Sequence, residues 1–192
     1  MDIFIKKIKK MKNDDNLGHL MVDIETLGTK SYSIILSIGA VEFDISTGIT
    51  GREFYQTIDI NSSIDYNFKI DGDTFYWWLN QDENSRKLIC NHTIDIYNAL
   101  LKFKIFIDEL KDIQIWSNGS KYDLGLLDNA YQLCKLKTPW NYRNERDVRT
   151  LVSLAPHIKN NIQFLGVRHN PIDDCKYQIK YCSEIWKSLI TK

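Results

Sequence analysis

No apolar run in the 192-residue chain approaches the roughly 18 residues that span a bilayer, which argues against membrane insertion. The four cysteines, Cys90, Cys134, Cys175 and Cys182, contain no CxxC spacing, so a thiol zinc site has little support. Net charge is also missing, because 25 Lys and Arg offset 25 Asp and Glu, and bulk charge therefore announces no nucleic-acid partner. With no secretory signal ahead of the cysteines, the expectation is a reduced, cytoplasmic protein with core thiols. No repeat, low-complexity tract or long linker divides the chain. A single domain over residues 19–192 is expected, behind a basic, flexible extension over residues 1–18 in which Lys6, Lys7, Lys9, Lys10 and Lys12 crowd together. From Lys137 onward ten basic residues face five acidic ones, a local excess that suits a phosphate backbone and ordinary solvated surface equally.

The organising stretch is residues 19–29, HLMVDIETLGT. Leu20, Val22 and Ile24 alternate with Met21, Asp23 and Glu25, so a β-strand here points both carboxylates to one side. Two acids facing one way inside a sheet need a cationic partner, a raised pKa or a bound metal. Thr26 and the small Gly28 just beyond favour the metal; an edge strand with its polar face in water is the plain alternative.

Residues 33–44 are rich in Ile and Val and read as a second strand, and residues 51–60 as a third, returning across the turn at 44–48 to make a meander. Asp71 or Asp73 can cap a helix that starts near Thr74 and carries Trp77, Trp78 and Leu79. Ile96, Leu100, Phe103, Ile107 and Leu110 recur at helical spacing in residues 94–110. A short buried strand over 113–116 leads through the loop 117–121 into a helix reaching Cys134, with Leu124, Leu127, Ala130, Tyr131 and Cys134 inward. A short helix is expected over 146–155, and a last one over 170–189 with Ile172, Cys175, Ile179, Cys182, Trp186 and Leu189 inward. Strands in a meander followed by alternating helices and strand describe an α/β mixed sheet with helices on both faces.

Three further residues bear on chemistry. Asp123 stands where a buried strand turns into a helix, a place a structural cap would also occupy. In RHNPIDDCKYQ, Pro171 suits the first helical position, with Asn170 as the cap and Asp173 reaching back to it. Asp174 is not explained by capping, since it lies between the inward Ile172 and Cys175. His169 precedes it by five positions.

Taken in order, a DxE on the first strand, a middle Asp at a strand-to-helix junction and H-x-x-x-x-D at the last helix resemble the DEDDh (DnaQ-like) exonuclease superfamily. The wording MVDIETLGT, WSNGSKYD, RDVRTL and HNPIDDCKYQ is most similar to the RNase T-like exoribonucleases, which include the phage DexA-type exonucleases. The resemblance implies a ribonuclease H-like fold with a five-stranded mixed sheet. It implies 3′-5′ hydrolysis of single-stranded RNA or DNA from the 3′ end, releasing nucleoside 5′-monophosphates. Asp23, Glu25, Asp123 and Asp174 would hold two divalent ions, Mg²⁺ or Mn²⁺, and His169 would be the general base. Thr26 and Leu27 would meet the 3′-terminal nucleotide, the leucine as an apolar wedge, and Trp77 and Trp78 would stack on bases unless one of them packs in the core. Asn170 stands where the sister subgroup has its tyrosine, which indicates the histidine subtype, and Tyr122 replaces a phenylalanine common among relatives. Arg146 and Arg149 would reach phosphate or pair with Glu145 and Asp147, and pairing is favoured. A homodimer is compatible with the resemblance. A silent binding module on the same fold and a polymerase-docked proofreading subunit are the alternatives; the choice between RNA and DNA is not written in these motifs.

Overall fold

The structure is a computed structural model that describes residues 17–90, 94–110 and 112–190, so the basic run at residues 6–12 lies outside the described residues. Strands β1 (His19–Thr26), β2 (Ile35–Phe43) and β3 (Thr50–Thr57) form the expected meander. They are followed by helices α1 (Ile60–Asp65), α2 (Gly72–Leu79), α3 (Glu83–Cys90) and α4 (Ile96–Asp108), then β4 (Gln114–Ser117) and α5 (Ser120–Leu133). The chain ends with β5 (Glu145–Asp147), α6 (Val148–Ser153), α7 (Pro156–Asn160) and α8 (Pro171–Ile190). The sheet order is β3-β2-β1-β4-β5. Neighbours are antiparallel through the meander and parallel from β1 to β4 to β5. This is the mixed five-stranded, ribonuclease H-like sheet.

β1 sits at the centre, and its alternation divides the core in two. Leu20, Val22 and Ile24 face the larger cluster, with Leu100, Phe103, Leu124, Leu127 and Cys134 from α4 and α5 and the residue after it. Met21 faces the other way, into a second cluster with Val41 and Phe43 of β2 and Cys175, Ile179, Cys182 and Ile185 of α8. Every residue of β2 is buried because both of its faces are covered, so no alternation is visible in its sequence. Each such side chain removed from water contributes roughly 1.5–3 kcal/mol before the entropy of ordering is charged against it.

Several local expectations are corrected. The segment expected as a helix from 146 begins as the edge strand β5, because Glu145, Arg146 and Asp147 complete hydrogen bonding along β4. The helix starts at Val148, where the Asp147 carboxylate accepts the Thr150 amide at 2.7 Å. Helix α1 is too short to show helical periodicity and is fixed instead by Asp59 capping the Ser62 amide at 2.8 Å. Asp71, rather than Asp73, caps α2. In α8, Tyr181 and Ile185 are buried whereas Leu189 is exposed.

Candidate active site

The second face of β1 changes character along its length. Met21 is packed in apolar core, yet two and four residues on, the same face presents Asp23 and Glu25. What lets α8 close over them is the residue opposite Asp23 in the β1–β2 register, Gly39. A Cβ at Gly39 would overlap the ring of Pro171 and lie 2.8 Å from its carbonyl carbon, so only glycine admits the first turn of α8 this close. The Cys175 thiol then donates to the carbonyls of Met21 and Gly39, at 3.5 and 3.8 Å. This contact brings Asp174, one residue earlier, over the two strand carboxylates.

One carboxylate oxygen each from Asp23, Glu25 and Asp174 lie within 4.8 Å of one another. Asp123, in the first turn of α5, is 4% exposed and lines the same cavity of about 570 Å³, as do His169, Trp77, Trp78 and Gln178. Gln178, one turn beyond Asp174, donates its side-chain N–H to Asp23 at 2.9 Å. One amide does not compensate four acids. Burial, then the charges of Asp123 and Asp174, push the Asp23 carboxyl well above the usual carboxylate range. Burial and the charges of Asp23, Asp174 and Asp123 do the same to Glu25. Burial raises Asp123 to about 7 and Asp174 to about 6. Closely set oxygen donors with unmet charge suit hard divalent cations, so the residues fit the metal reading of the sequence.

His169 is placed by strain and by packing. Its φ of 62° puts a non-glycine residue in the left-handed region, a conformation that costs of order 1 kcal/mol and persists only where its surroundings impose it. The preceding carbonyl, of Arg168, accepts the buried Ser85 hydroxyl at 2.9 Å, while Asn170 caps α8 through the Ile172 amide at 3.0 Å. Asp173 accepts from the Val167 amide at 2.8 Å rather than from the cap residue, a correction to the expected reach-back that pins the same loop. The imidazole stands edge-on to Trp77 and Trp78, and its Nδ1 is 3.8 Å from a Glu25 oxygen. Burial, and then Arg168, lower its pKa, so the ring is neutral and able to accept a proton at neutral pH.

The remaining expected contacts divide. Trp78 is 3% exposed and donates its indole N–H to the Thr26 carbonyl at 2.9 Å, which makes it the core-packed tryptophan, whereas Trp77 is 43% exposed at the cavity. Thr26 lines the cavity, with its hydroxyl donating to the Gly28 carbonyl at 2.7 Å and in contact with the Tyr122 hydroxyl at 2.7 Å. Leu27 is not among the cavity's lining residues: its side chain is buried in the larger core cluster rather than presented to the cavity as the wedge expectation requires. Arg146 donates to the carbonyls of Arg143 and Glu145; no ion pair among the described residues joins Arg146 or Arg149 to Glu145 or Asp147, and of the pairing expected only a longer-range attraction of Arg149 for Asp147 is present, helping hold that carboxyl below the usual range. Gln178 and Gly39 were not anticipated. Gln178 was detectable as a polar residue four positions from Asp174 on an otherwise apolar helix face; Gly39 carried no signal without the register.

The model of the 3′-5′ exoribonuclease Rv2179c-like domain matches residues 18–186. No curated protein matches the chain by sequence. Among solved structures, the nuclease domain of 3′hExo, a DEDDh family member bound to rAMP, superposes with a TM-score of 0.60 at 15% identity, over 88% of this chain and 91% of that one. Pop2p of S. pombe, in its Mg²⁺- and Mn²⁺-bound form, gives 0.61 at 12% identity over 96% and 88%. E. coli Exonuclease I in complex with a dA16 oligonucleotide gives 0.65 at 11% identity, over 90% of this chain and 43% of that one. At these identities the likeness is one of fold.

Proposed function

The chain belongs to the 3′-5′ exoribonuclease Rv2179c-like domain family, and on that premise we propose that it is a DEDDh-type enzyme that hydrolyses single-stranded RNA or DNA from the 3′ end with two divalent ions, releasing nucleoside 5′-monophosphates. The observation that carries the reading is the triangle of Asp23, Glu25 and Asp174 oxygens within 4.8 Å, with neutral His169 3.8 Å from Glu25. Asp23, Glu25, Asp123 and Asp174 are the proposed ligands. Four carboxylates and two divalent ions sum to near neutrality, so the site stops repelling an anion only once both ions are held. Bound Mg²⁺ or Mn²⁺ would stabilise the charge that develops on the phosphate.

The chain's own groups supply the rest. His169 accepts the proton of the attacking water as its oxygen bonds to phosphorus; the P–O3′ bond breaks, and the departing 3′ oxygen takes up a proton from solvent. The released nucleotide keeps the 5′ phosphate. Trp77 offers an exposed indole beside the imidazole on which a base can stack, while Thr26 lines the cavity floor. The rAMP and dA16 ligands of the structural neighbours and the Mg²⁺ and Mn²⁺ of another support this assignment of substrate and ions.

The test is digestion of matched 5′-labelled RNA and DNA single strands with Mg²⁺ or Mn²⁺, beside Asp174→Ala and a chelator. A ladder shortening from the 3′ end in the wild type alone is expected, and it reports the preferred sugar. Binding without shortening, on either strand, would leave the catalytic reading without support.

A further inference from the structure

We propose that Arg149 grips a phosphate of the bound strand and sets its path across the cavity, an inference that rests on the nucleic-acid reading above. The cavity wall carries five carboxylates, Asp23, Glu25, Asp73, Asp123 and Asp174, and a single Lys or Arg among its lining residues, Arg149. A cation in such surroundings would ordinarily be taken up by an acid. Its natural partner, Asp147 two residues earlier, feels its charge but makes no ion pair with it, one oxygen accepting the Ser120 amide at 2.8 Å and the other the Thr150 amide at 2.7 Å. Glu145 accepts the Trp140 indole N–H at 2.9 Å. None of the ion pairs among the described residues includes Arg149.

The guanidinium is nevertheless seated. It lies against the loop between β4 and α5 at Gly119, whose φ is 108°, and a Cβ there would stand 3.1 Å from the guanidinium carbon and 3.3 Å from Nε and Nη2. The Asp147 bond to the Ser120 amide ties the start of α6 to the start of α5, so the arginine and Asp123 are carried on elements joined to each other. A planar, permanently charged fork, held at the rim of an acidic cavity where its charge acts on Asp123 and Asp147 without forming an ion pair among the described residues, matches the two non-bridging oxygens of a phosphodiester. It also gives an anionic strand one fixed positive side chain on a wall that repels it until divalent ions are held.

The test is equilibrium binding of 5′-labelled single strands in Ca²⁺, whose larger and flexible coordination disfavours turnover, for wild type, Arg149→Ala and Arg149→Lys. Strands carrying one neutral methylphosphonate at successive linkages are compared with the unmodified strand. Loss of a charge-assisted contact predicts about 10- to 100-fold weaker binding by Arg149→Ala, and a slope of log K against log salt shallower by about 0.7, with most of the slope restored in Arg149→Lys. One methylphosphonate position should weaken the wild type by a similar factor and cost Arg149→Ala nothing further. An unchanged salt slope, or a methylphosphonate profile identical in wild type and Arg149→Ala, would overturn the proposal, as would a wild type that binds no strand. A wild type that binds in this pattern in Ca²⁺ but does not shorten the strand when Mg²⁺ or Mn²⁺ replaces it would remove the exonuclease reading and leave the phosphate contact standing.

Discussion

The two halves of the α8–sheet interface share a helix, a strand face and a backbone register, and they have opposite chemistry. At one end Met21, Phe43, Ile179, Cys182 and Ile185 make a dry apolar contact. At the other, beyond Cys175, the same surfaces meet through Asp23, Glu25, Asp174 and Gln178. The apolar half holds the helix down; the acidic half would push it away, because carboxylates forced together out of water repel one another and lose hydration. Such an arrangement is tolerated where neighbouring packing offsets it and function requires it. The interface is thus a clamp in which stability is supplied by one half and chemistry by the other.

Substitutions can pull the halves apart. Asp174→Ala should remove measurable cleavage while leaving the metal-free protein at least as stable as the wild type, checked by digestion beside thermal melting. His169→Gln should lower kcat by about 10²–10⁴-fold yet retain the response of Tm to Mn²⁺, since the imidazole is not among the proposed ligands. Ile179→Ala, in the apolar half, should cost about 2–5 kcal/mol by denaturant titration, with cleavage per folded molecule little changed. The converse result for either half, a cleavage defect without destabilisation in Ile179→Ala or a collapse of stability in Asp174→Ala, would break the division. Trp77→Ala should raise KM more than it lowers kcat, by the roughly 1–3 kcal/mol of one stacked base.

The acidic half also sets a pH dependence. Its carboxyls ionise near pH 4 in the unfolded chain but at about 6 for Asp174, about 7 for Asp123 and well above the usual range for Asp23 and Glu25 in the folded one. Across that window the folded state binds more protons, so the stability of the metal-free protein falls as pH rises from about 4 through about 7, and the raised Asp23 and Glu25 extend the fall upward until they too ionise. Divalent ions, which bind the ionised carboxylates, should flatten that fall.

Much of the acidic half was legible in the sequence because each part has a local signature. Alternation around Asp23 and Glu25 showed a shared face, Asp123 marked a strand-to-helix junction, and the Asn170–Pro171 cap left Asp174 without a structural excuse. What remained hidden depends on residues brought together from afar. Gly39 matters only because Pro171 crosses it, and β5 is a strand because β4 lies beside it. Leu27 shares the core cluster with Ile34 and Trp78 and is tied by backbone bonds to Ile34 and Asp71, and Trp78 rather than Trp77 turns inward to reach the Thr26 carbonyl. That Arg149 makes no ion pair among the described residues could not be read from RDVRTL, where Asp147 and the preceding Glu145 stand close by in sequence but accept other donors in space.

The most direct test of the clamp is thermal melting of wild type and Asp23→Asn at pH 7.5, with and without Mn²⁺. The metal-free Asp23→Asn protein should melt above the metal-free wild type, because one of four crowded, buried acids has been removed, and Mn²⁺ should raise the Tm of the wild type while leaving that of Asp23→Asn nearly unchanged. A wild type indifferent to Mn²⁺, or an equal rise in both proteins, would contradict the assignment of the acidic half as a divalent-ion site.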